Sequence, residues 1–235
     1  MFRPVSSKPD FVAQELEILD QWRDRRTFAR LRAQNAGGPR WSFLDGPITA
    51  NNPMGVHHAW GRSLKDLFQR YHAALGEDER YQNGFDCQGL WVEVEVERSL
   101  GLNSKHEIEA YGLDRFARAC RDRVAEYSGV QTQQSRRLGM WMDWERSYYT
   151  MTDPNISYIW GFLKVCHERG WLYQGHRPMV WCLRCGTSLS QHEVAATDSY
   201  RDIVDPSLYV RFRFTDAPGE ALVVWTTTPL SLIHI

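Results

Sequence analysis

The sequence predicts an α/β fold with a mainly parallel sheet, and three observations carry that expectation. Over the first two thirds of the chain, apolar residues alternate between helical spacing of three to four and short β-type runs. Glycine and proline punctuate the changes, at Gly37-Gly38-Pro39, Gly46-Pro47 and Gly76. Strands alternating with helices in this way build parallel layers covered by helices. The 235 residues, 43% hydrophobic and 13% aromatic, suffice to bury one or two cores, which excludes a disordered chain.

The elements follow in order. Ser7-Lys8-Pro9-Asp10 is laid out as a capping box, with Pro9 tolerated early in the helix it opens. Val12, Leu16, Leu19 and Trp22 place one apolar stripe on that helix through Arg26, leaving Arg23, Asp24 and Arg25 in solvent. Residues 41–45 read as a short strand ending at the Gly46-Pro47 turn, and a loop runs on to Gly55. Leu64, Leu67, Phe68, Tyr71 and Ala74 then keep helical spacing over 58–75, ending near Gly76. Arg80-Tyr81-Gln82 is strand-like, and the segment from Gly84 to Leu90 reads as a turn holding Asp86 between glycines. Residues 91–97 alternate Val with Glu and would be a strand by period alone. Helices are expected over 116–130 and 155–169, and short strands at 171–173 and 178–181 around Gly175.

Charge and cysteine usage narrow the function. Lys+Arg 28 against Asp+Glu 29 gives a net charge of −1, so no global positive field invites DNA, and any nucleic-acid contact has to be local. Five irregularly spaced cysteines argue against a secreted disulfide framework and for a reducing, cytoplasmic setting. The start, residues 1–6, lacks an apolar signal core, and nowhere do eighteen apolar residues run together, so neither export nor membrane spanning is expected.

Residues 46–58 join a strand to a helix, so free backbone amides and the positive helix end face whatever binds there, and an anion is the natural guest. His57 and His58 at that helix start could donate to a triphosphate and stabilise charge on a reacting phosphoryl group. Alone, such a pair reads as a cap or turn feature. Asp86, near the strand carboxyl ends, is suited to hold an ammonium group, although a lone Asp in a glycine turn reads as an Asx turn. Cys182 and Cys185 form a Cys-x-x-Cys knuckle with two thiolates at zinc-binding reach, two further ligands being unassigned and His192 the only nearby substitute. Two unmetallated structural thiols remain the alternative.

Asp45-Gly46-Pro47, Gly55-Val56-His57-His58-Ala59, Leu64-Lys65-Asp66 and Gly84-Phe85-Asp86-Cys87-Gln88-Gly89-Leu90 with Glu93 resemble, in order and spacing, the first half of the catalytic domain of isoleucyl-tRNA synthetases, a class I family. Arg137-Leu138-Gly139, Asp143-Trp144, Tyr149-Thr150-Met151 and residues 178–193 continue the likeness, and Val224-Trp225-Thr226-Thr227-Thr228-Pro229 resembles that family's threonine-rich editing entry. The resemblance implies the first half of a Rossmann-type catalytic domain over 41–180 behind a helical segment at 1–40. A zinc-knuckle segment at 181–200 and the start of a β-rich editing domain at 201–229 would follow. It also implies that 91–97 is helical.

By the same resemblance, Gly46, Gly55, His57 and His58 contact ATP, with His57 and His58 acting in catalysis. Pro47 and Asp86 line the amino-acid pocket, and Thr226, Thr227 and Thr228 belong to the editing site. Cys182 and Cys185 would hold zinc with ligands outside this chain. ATP with Mg2+, isoleucine and tRNA are the implied partners. The sequence departs from the family at the signature: Gly55 and His57 stand where histidine and glycine usually do, a swap that leaves His57 either turned aside or supplying the missing phosphate contact. Trp91 replaces the usual proline. No Lys-Met-Ser-Lys-Ser-like loop is present, so the chain alone is expected to form no adenylate. Residues 230–235 leave the family pattern and read as non-native sequence, what a translated transposon-type adapter would encode. A leucyl- or valyl-tRNA synthetase, or a non-catalytic tRNA- or zinc-binding module, are the rival readings.

Overall fold

The computed structural model describes residues 7–195 and 200–233. The expected start at 1–6 and the tail residues His234 and Ile235 lie outside them. The chain divides between Arg177 and Pro178 into two compact units.

The first unit opens with α1 (Phe11–Asp24). Its cap is Asp10, whose carboxylate accepts from the Ala13 amide at 3.0 Å, and not Ser7 three residues earlier. Asp10 wins because its carboxylate reaches the N3 amide of the helix that forms. α1 buries no residue fully: Val12 and Leu16 stay exposed, Leu19 is half-buried, and Trp22 packs edge-on against Trp141. The expected inward stripe is therefore used only at its carboxyl end. A break at Arg25 and Arg26, the latter left-handed at φ 52°, starts α2 (Thr27–Asn35).

Every strand pairing in this unit is parallel. β1 (Arg40–Trp41) pairs with β3 (Asp78–Glu79), and β2 (Ile48–Thr49) pairs with β4 (Gly84–Asp86), which in turn pairs with β5 (Tyr148–Tyr149). Of the strand expected over 41–45 only Trp41 is in β1, because its partner strand β3 offers pairing at Asp78 and Glu79 alone. Gly84–Asp86, read from sequence as a turn, is the central strand, and the strand-like 80–82 segment forms none; Tyr81 sits there at φ 51°. Its ring is buried edge-on against Phe28 with Met140 and Met142, packing that holds a residue type disfavoured at positive φ. Gly84 has to be glycine, since a β-carbon there would fall inside the Tyr148 ring.

α3 (Val56–Ala74) joins β2 to β3 and ends at Leu75 and Gly76 as the spacing predicts. Its apolar row faces outward. The buried residues are Arg62, Gln69 and Ala73, whereas Trp60, Leu64, Leu67, Phe68 and Tyr71 are exposed. α4 (Leu90–Leu100) is helical despite its alternating sequence. Val92 and Val96, one turn apart, both point into the core, and left-handed Gly101 closes the helix. α5 (Lys105–Tyr111), capped by Ser104, was not expected; Gly112 separates it from α6 (Leu113–Arg137), which runs well beyond the predicted 116–130. Ala50, Phe85, Cys87, Val92 and Val124 form the core between sheet, α4 and α6. α7 (Asp153–Glu168) matches its predicted span and buries no residue.

The second unit holds two antiparallel hairpins. β6 (Trp181–Cys182) pairs with β7 (Thr187–Ser188), and β8 (Leu208–Arg213) pairs with β9 (Ala221–Thr226). α8 (Gln191–Val194) is closed by a Ser190–Glu193 capping box. The strand expected at 171–173 does not form, its residues being exposed and without a strand partner; of the strand expected at 178–181 only Trp181 belongs to one, β6, although the Val180 carbonyl accepts from the Leu189 amide at 2.9 Å.

Candidate active site

Asp45 is the anchor on which the site is built. Its carboxylate, 1% exposed, takes the Lys65 ammonium at 2.6 Å and the Gly84 amide at 3.3 Å, while its carbonyl accepts from the Tyr148 hydroxyl at 2.7 Å. One residue thereby joins α3, β4 and β5. Lys65 also donates to the Gly46 carbonyl at 2.9 Å, which fixes the turn that carries Pro47. Burial, with the negative charges of Asp45 and Asp86, raises the Tyr148 hydroxyl above its ordinary pKa and keeps it a donor.

The chain leaving this turn enters β2 beside β4, with Thr49 opposite Asp86. The Thr49 hydroxyl donates to the Asp86 carboxylate at 3.0 Å, and the Ala50 amide to the Asp86 carbonyl at 2.9 Å. The loop leaving Asp45 and the strand bearing Asp86 thus meet at the carboxyl ends of parallel strands, where open α/β sheets bind ligands. α6 clamps the rest of the loop. Gln131 donates to the carbonyls of Thr49 and Asn52, both at 2.9 Å, Gln134 accepts from the Met54 amide at 2.8 Å, and Arg123 reaches the Asn51 carbonyl and the Asn52 amide oxygen at 2.8 Å.

The loop ends at Gly55, the cap of α3. His58 closes the first turn reciprocally: its amide donates to the Gly55 carbonyl at 3.0 Å, and its Nδ1 accepts from the Gly55 amide at 3.1 Å. That bond assigns the ring proton to Nε2, leaving one outward donor. Burial, then the adjacent His57 and the Arg62 cation, lower the His58 pKa and favour this neutral form. His57 lies against His58 with ring centroids 3.9 Å apart and planes tilted by 45°, and it folds back over Gly55, where a β-carbon would stand 2.9 Å from its Cε1. The His57 imidazole therefore covers the space that a side chain at position 55 would fill.

A family model described as tRNA synthetases class I (I, L, M and V) matches residues 17–218. The chain belongs to this family. Among its relatives, the isoleucine–tRNA ligase of Streptomyces coelicolor is 43% identical over 99% of this chain and 22% of that protein, and the one from Thermus thermophilus is 43% identical with the same coverage. The isoleucine–tRNA ligase of Pyrobaculum aerophilum is 41% identical. The chain spans about a fifth of the length of these relatives. Its fold is like that of the crystallised LeuRS–tRNA–LeuAMS complex of Agrobacterium radiobacter, with a TM-score of 0.56 over 80% of this chain and 21% of that one, at 16% identity.

In this class I synthetase chain, the residues singled out from sequence fall into separate places. Gly46, Pro47 and Asp86 lie around β2 and β4, and Gly55, His57 and His58 at the start of α3. Cys182 and Cys185 belong to the second unit, at the β6–β7 hairpin, where the Cys185 amide donates to Cys182 Sγ at 3.4 Å and lowers that thiol's pKa. His192 does not complete a metal set: among the described residues no group of three or more His, Cys, Asp or Glu could hold a metal ion. The knuckle supplies at most half of a tetrahedral zinc site. Thr226 ends β9 and its hydroxyl accepts from the Thr228 amide at 2.9 Å; Thr227 and Thr228 are exposed beyond it. Sequence reasoning missed Thr49, Lys65, Arg123, Gln131 and Gln134. The polar row Ser128, Gln131, Ser135 on an otherwise amphipathic helix was the available signal, since a buried polar helix face needs backbone partners. Among the described residues no helix is long and apolar enough to cross a membrane.

Proposed function

We propose that this chain is the part of an isoleucine–tRNA ligase that binds ATP and the amino acid for adenylate formation. The observation that carries the reading is Asp86 tied to Thr49 at the strand ends, on the loop that runs into the His57/His58 helix start. Asp86 would pair with the ammonium of isoleucine, and Pro47 would shape the apolar wall beside it. The amides of the first turn of α3 and His58 Nε2 would face the ATP phosphates, with Gly46 and Gly55 lining the approach. His57, folded over Gly55, would supply the contact that histidine at position 55 makes elsewhere in the family.

The isoleucine carboxylate would attack the α-phosphorus in line, forming a C–O–P mixed anhydride and expelling pyrophosphate. A terminal ribose hydroxyl of the tRNA would then take the acyl group and release AMP. Positioning and charge stabilisation do most of such work. Mg2+ would neutralise phosphate charge and take its oxygen ligands chiefly from the nucleotide.

The organisation proposed is helical lead-in at 1–40, catalytic half-domain at 41–180, knuckle segment at 181–200, start of an editing domain at 201–229 and non-native tail at 230–235. Thr226, Thr227 and Thr228 would serve hydrolysis of valine mischarged onto the tRNA, a discrimination for which this enzyme is itself the usual illustration of double sieving. Zinc at Cys182 and Cys185 would need two ligands from elsewhere in the longer protein. The setting proposed is the cytoplasm.

The test is amino-acid-dependent pyrophosphate exchange by the full-length protein, with isoleucine, leucine and valine compared. Isoleucine should give the highest kcat/KM, and Asp86→Asn should raise the KM for isoleucine far more than that for ATP. A preference for leucine or valine would reassign the substrate; no exchange with any of the three would refute the reading.

A further inference from the structure

The segment from Arg23 to Arg32 carries five arginines in ten residues of a chain whose net charge is −1. Two are neutralised: Arg23 by Asp20 at 2.9 Å and Arg32 by Asp143 at 3.0 Å. Arg25, Arg26 and Arg30 are exposed, and their guanidinium groups have no carboxylate or hydrogen-bond partner among the described residues. Exposed arginines without counter-charges repel one another, so a surface that gathers them gains from an anion.

Two of them, Arg25 and Arg30, line a groove. A cavity of about 840 Å³ follows α2, with Arg25, Thr27, Arg30, Gln34, Arg70 and Trp141 on its walls and no acidic side chain among its lining residues. Arg70 is already fixed: its Nε meets Asp66 at 2.5 Å, its Nη2 meets the Gly139 carbonyl at 2.7 Å, and its guanidinium lies 3.9 Å over the Trp141 ring. At one end of the groove α2 begins at left-handed Arg26 with no side chain capping it, so the amides of its first turn remain available. Planar guanidinium groups beside free helix amides match phosphate oxygens.

We propose that this groove binds the phosphate backbone of RNA, and, resting on the function proposed above, that of the substrate tRNA. From Thr27 to Gln34 the groove runs about 10 Å at the helical rise, so a lone phosphate would occupy only one end. The surface lies on the α2 side of α3, apart from the His57/His58 loop, and takes no part in adenylate formation.

The experiment uses the full-length protein and its Arg25→Ala/Arg30→Ala variant, reading tRNA affinity across salt concentrations and, separately, tRNA-independent pyrophosphate exchange. The variant should bind tRNA about tenfold more weakly, with the slope of log affinity against log salt reduced by about one per arginine. Exchange should be unchanged, and Arg25→Lys/Arg30→Lys should keep most of the affinity. Unchanged tRNA affinity and an unchanged salt slope would overturn the proposal. If the parent protein shows no isoleucine-dependent exchange but the alanine variant still loses tRNA affinity, the groove stands and the catalytic reading falls.

Discussion

The His57 imidazole occupies the space above Gly55, its Cε1 2.9 Å from where a β-carbon at position 55 would stand. Glycine at 55 and histidine at 57 are thus one device: the ring needs the missing side chain, and the missing side chain is replaced by the ring. Gly55→His alone forces two imidazoles into one place and should lower kcat/KM for ATP in pyrophosphate exchange by about tenfold or more, the scale of one lost phosphate donor. Gly55→His combined with His57→Gly restores the usual order and should recover to within a few-fold. Additive losses in the double variant would show that the two positions are independent.

Lys65 holds a carboxylate that is 1% exposed. Removing one partner of such a pair leaves an uncompensated buried charge, so Lys65→Met should cost about 3 kcal/mol in denaturant unfolding. Asp45→Asn added to it abolishes that charge while keeping an acceptor for the Gly84 amide, and should return part of the loss. Equal destabilisation in the single and double variants would contradict this role.

Glu79 lies buried, with 6% of its surface exposed. Burial, partly offset by the nearby Tyr81 hydroxyl, pushes its carboxyl up to about 7. The folded state then keeps a proton that the unfolded state loses above its ordinary value of 4.5. Stability from this group is present below pH 4.5 and lost as pH rises to about 7. Glu79→Gln removes the titration, so its stability relative to the parent should improve by up to about 3 kcal/mol between pH 5 and pH 8. Parallel stability profiles for the two proteins would be the contrary result.

Cys182 and Cys185 yield a composition test. The full-length protein should contain zinc that is lost, in the purified protein, on Cys182→Ser/Cys185→Ser substitution, because oxygen in place of thiolate weakens a tetrahedral site. Equal metal content in parent and variant would assign the thiols a structural role only.

The α/β order and the helices α3, α6 and α7 were legible because their periodicity is strong and local. The chemistry of residues 46–58 was legible for a different reason, a strand-to-helix loop carrying its own signature residues. What was hidden is what depends on remote partners. Gly84–Asp86 reads as a turn until β2 and β5 flank it, and the helix over 91–97 followed only from the family resemblance, its period alone reading as a strand until Val92 packs against Val124 of α6. The outward apolar face of α3 could not be told from an inward one by spacing alone, since Arg62 and Gln69 face inward in its place. The α6 clamp on the loop escaped because Gln131 and Gln134 act through backbone groups some eighty residues away.

The most direct measurement is a crystal structure of the full-length protein with a non-hydrolysable isoleucyl-adenylate analogue. The ammonium should lie within hydrogen-bonding distance of the Asp86 carboxylate, while the linkage replacing the α-phosphate sits against the first turn of α3 within reach of His58 Nε2. An analogue bound with either end away from these groups would contradict the shared pocket on which this account stands.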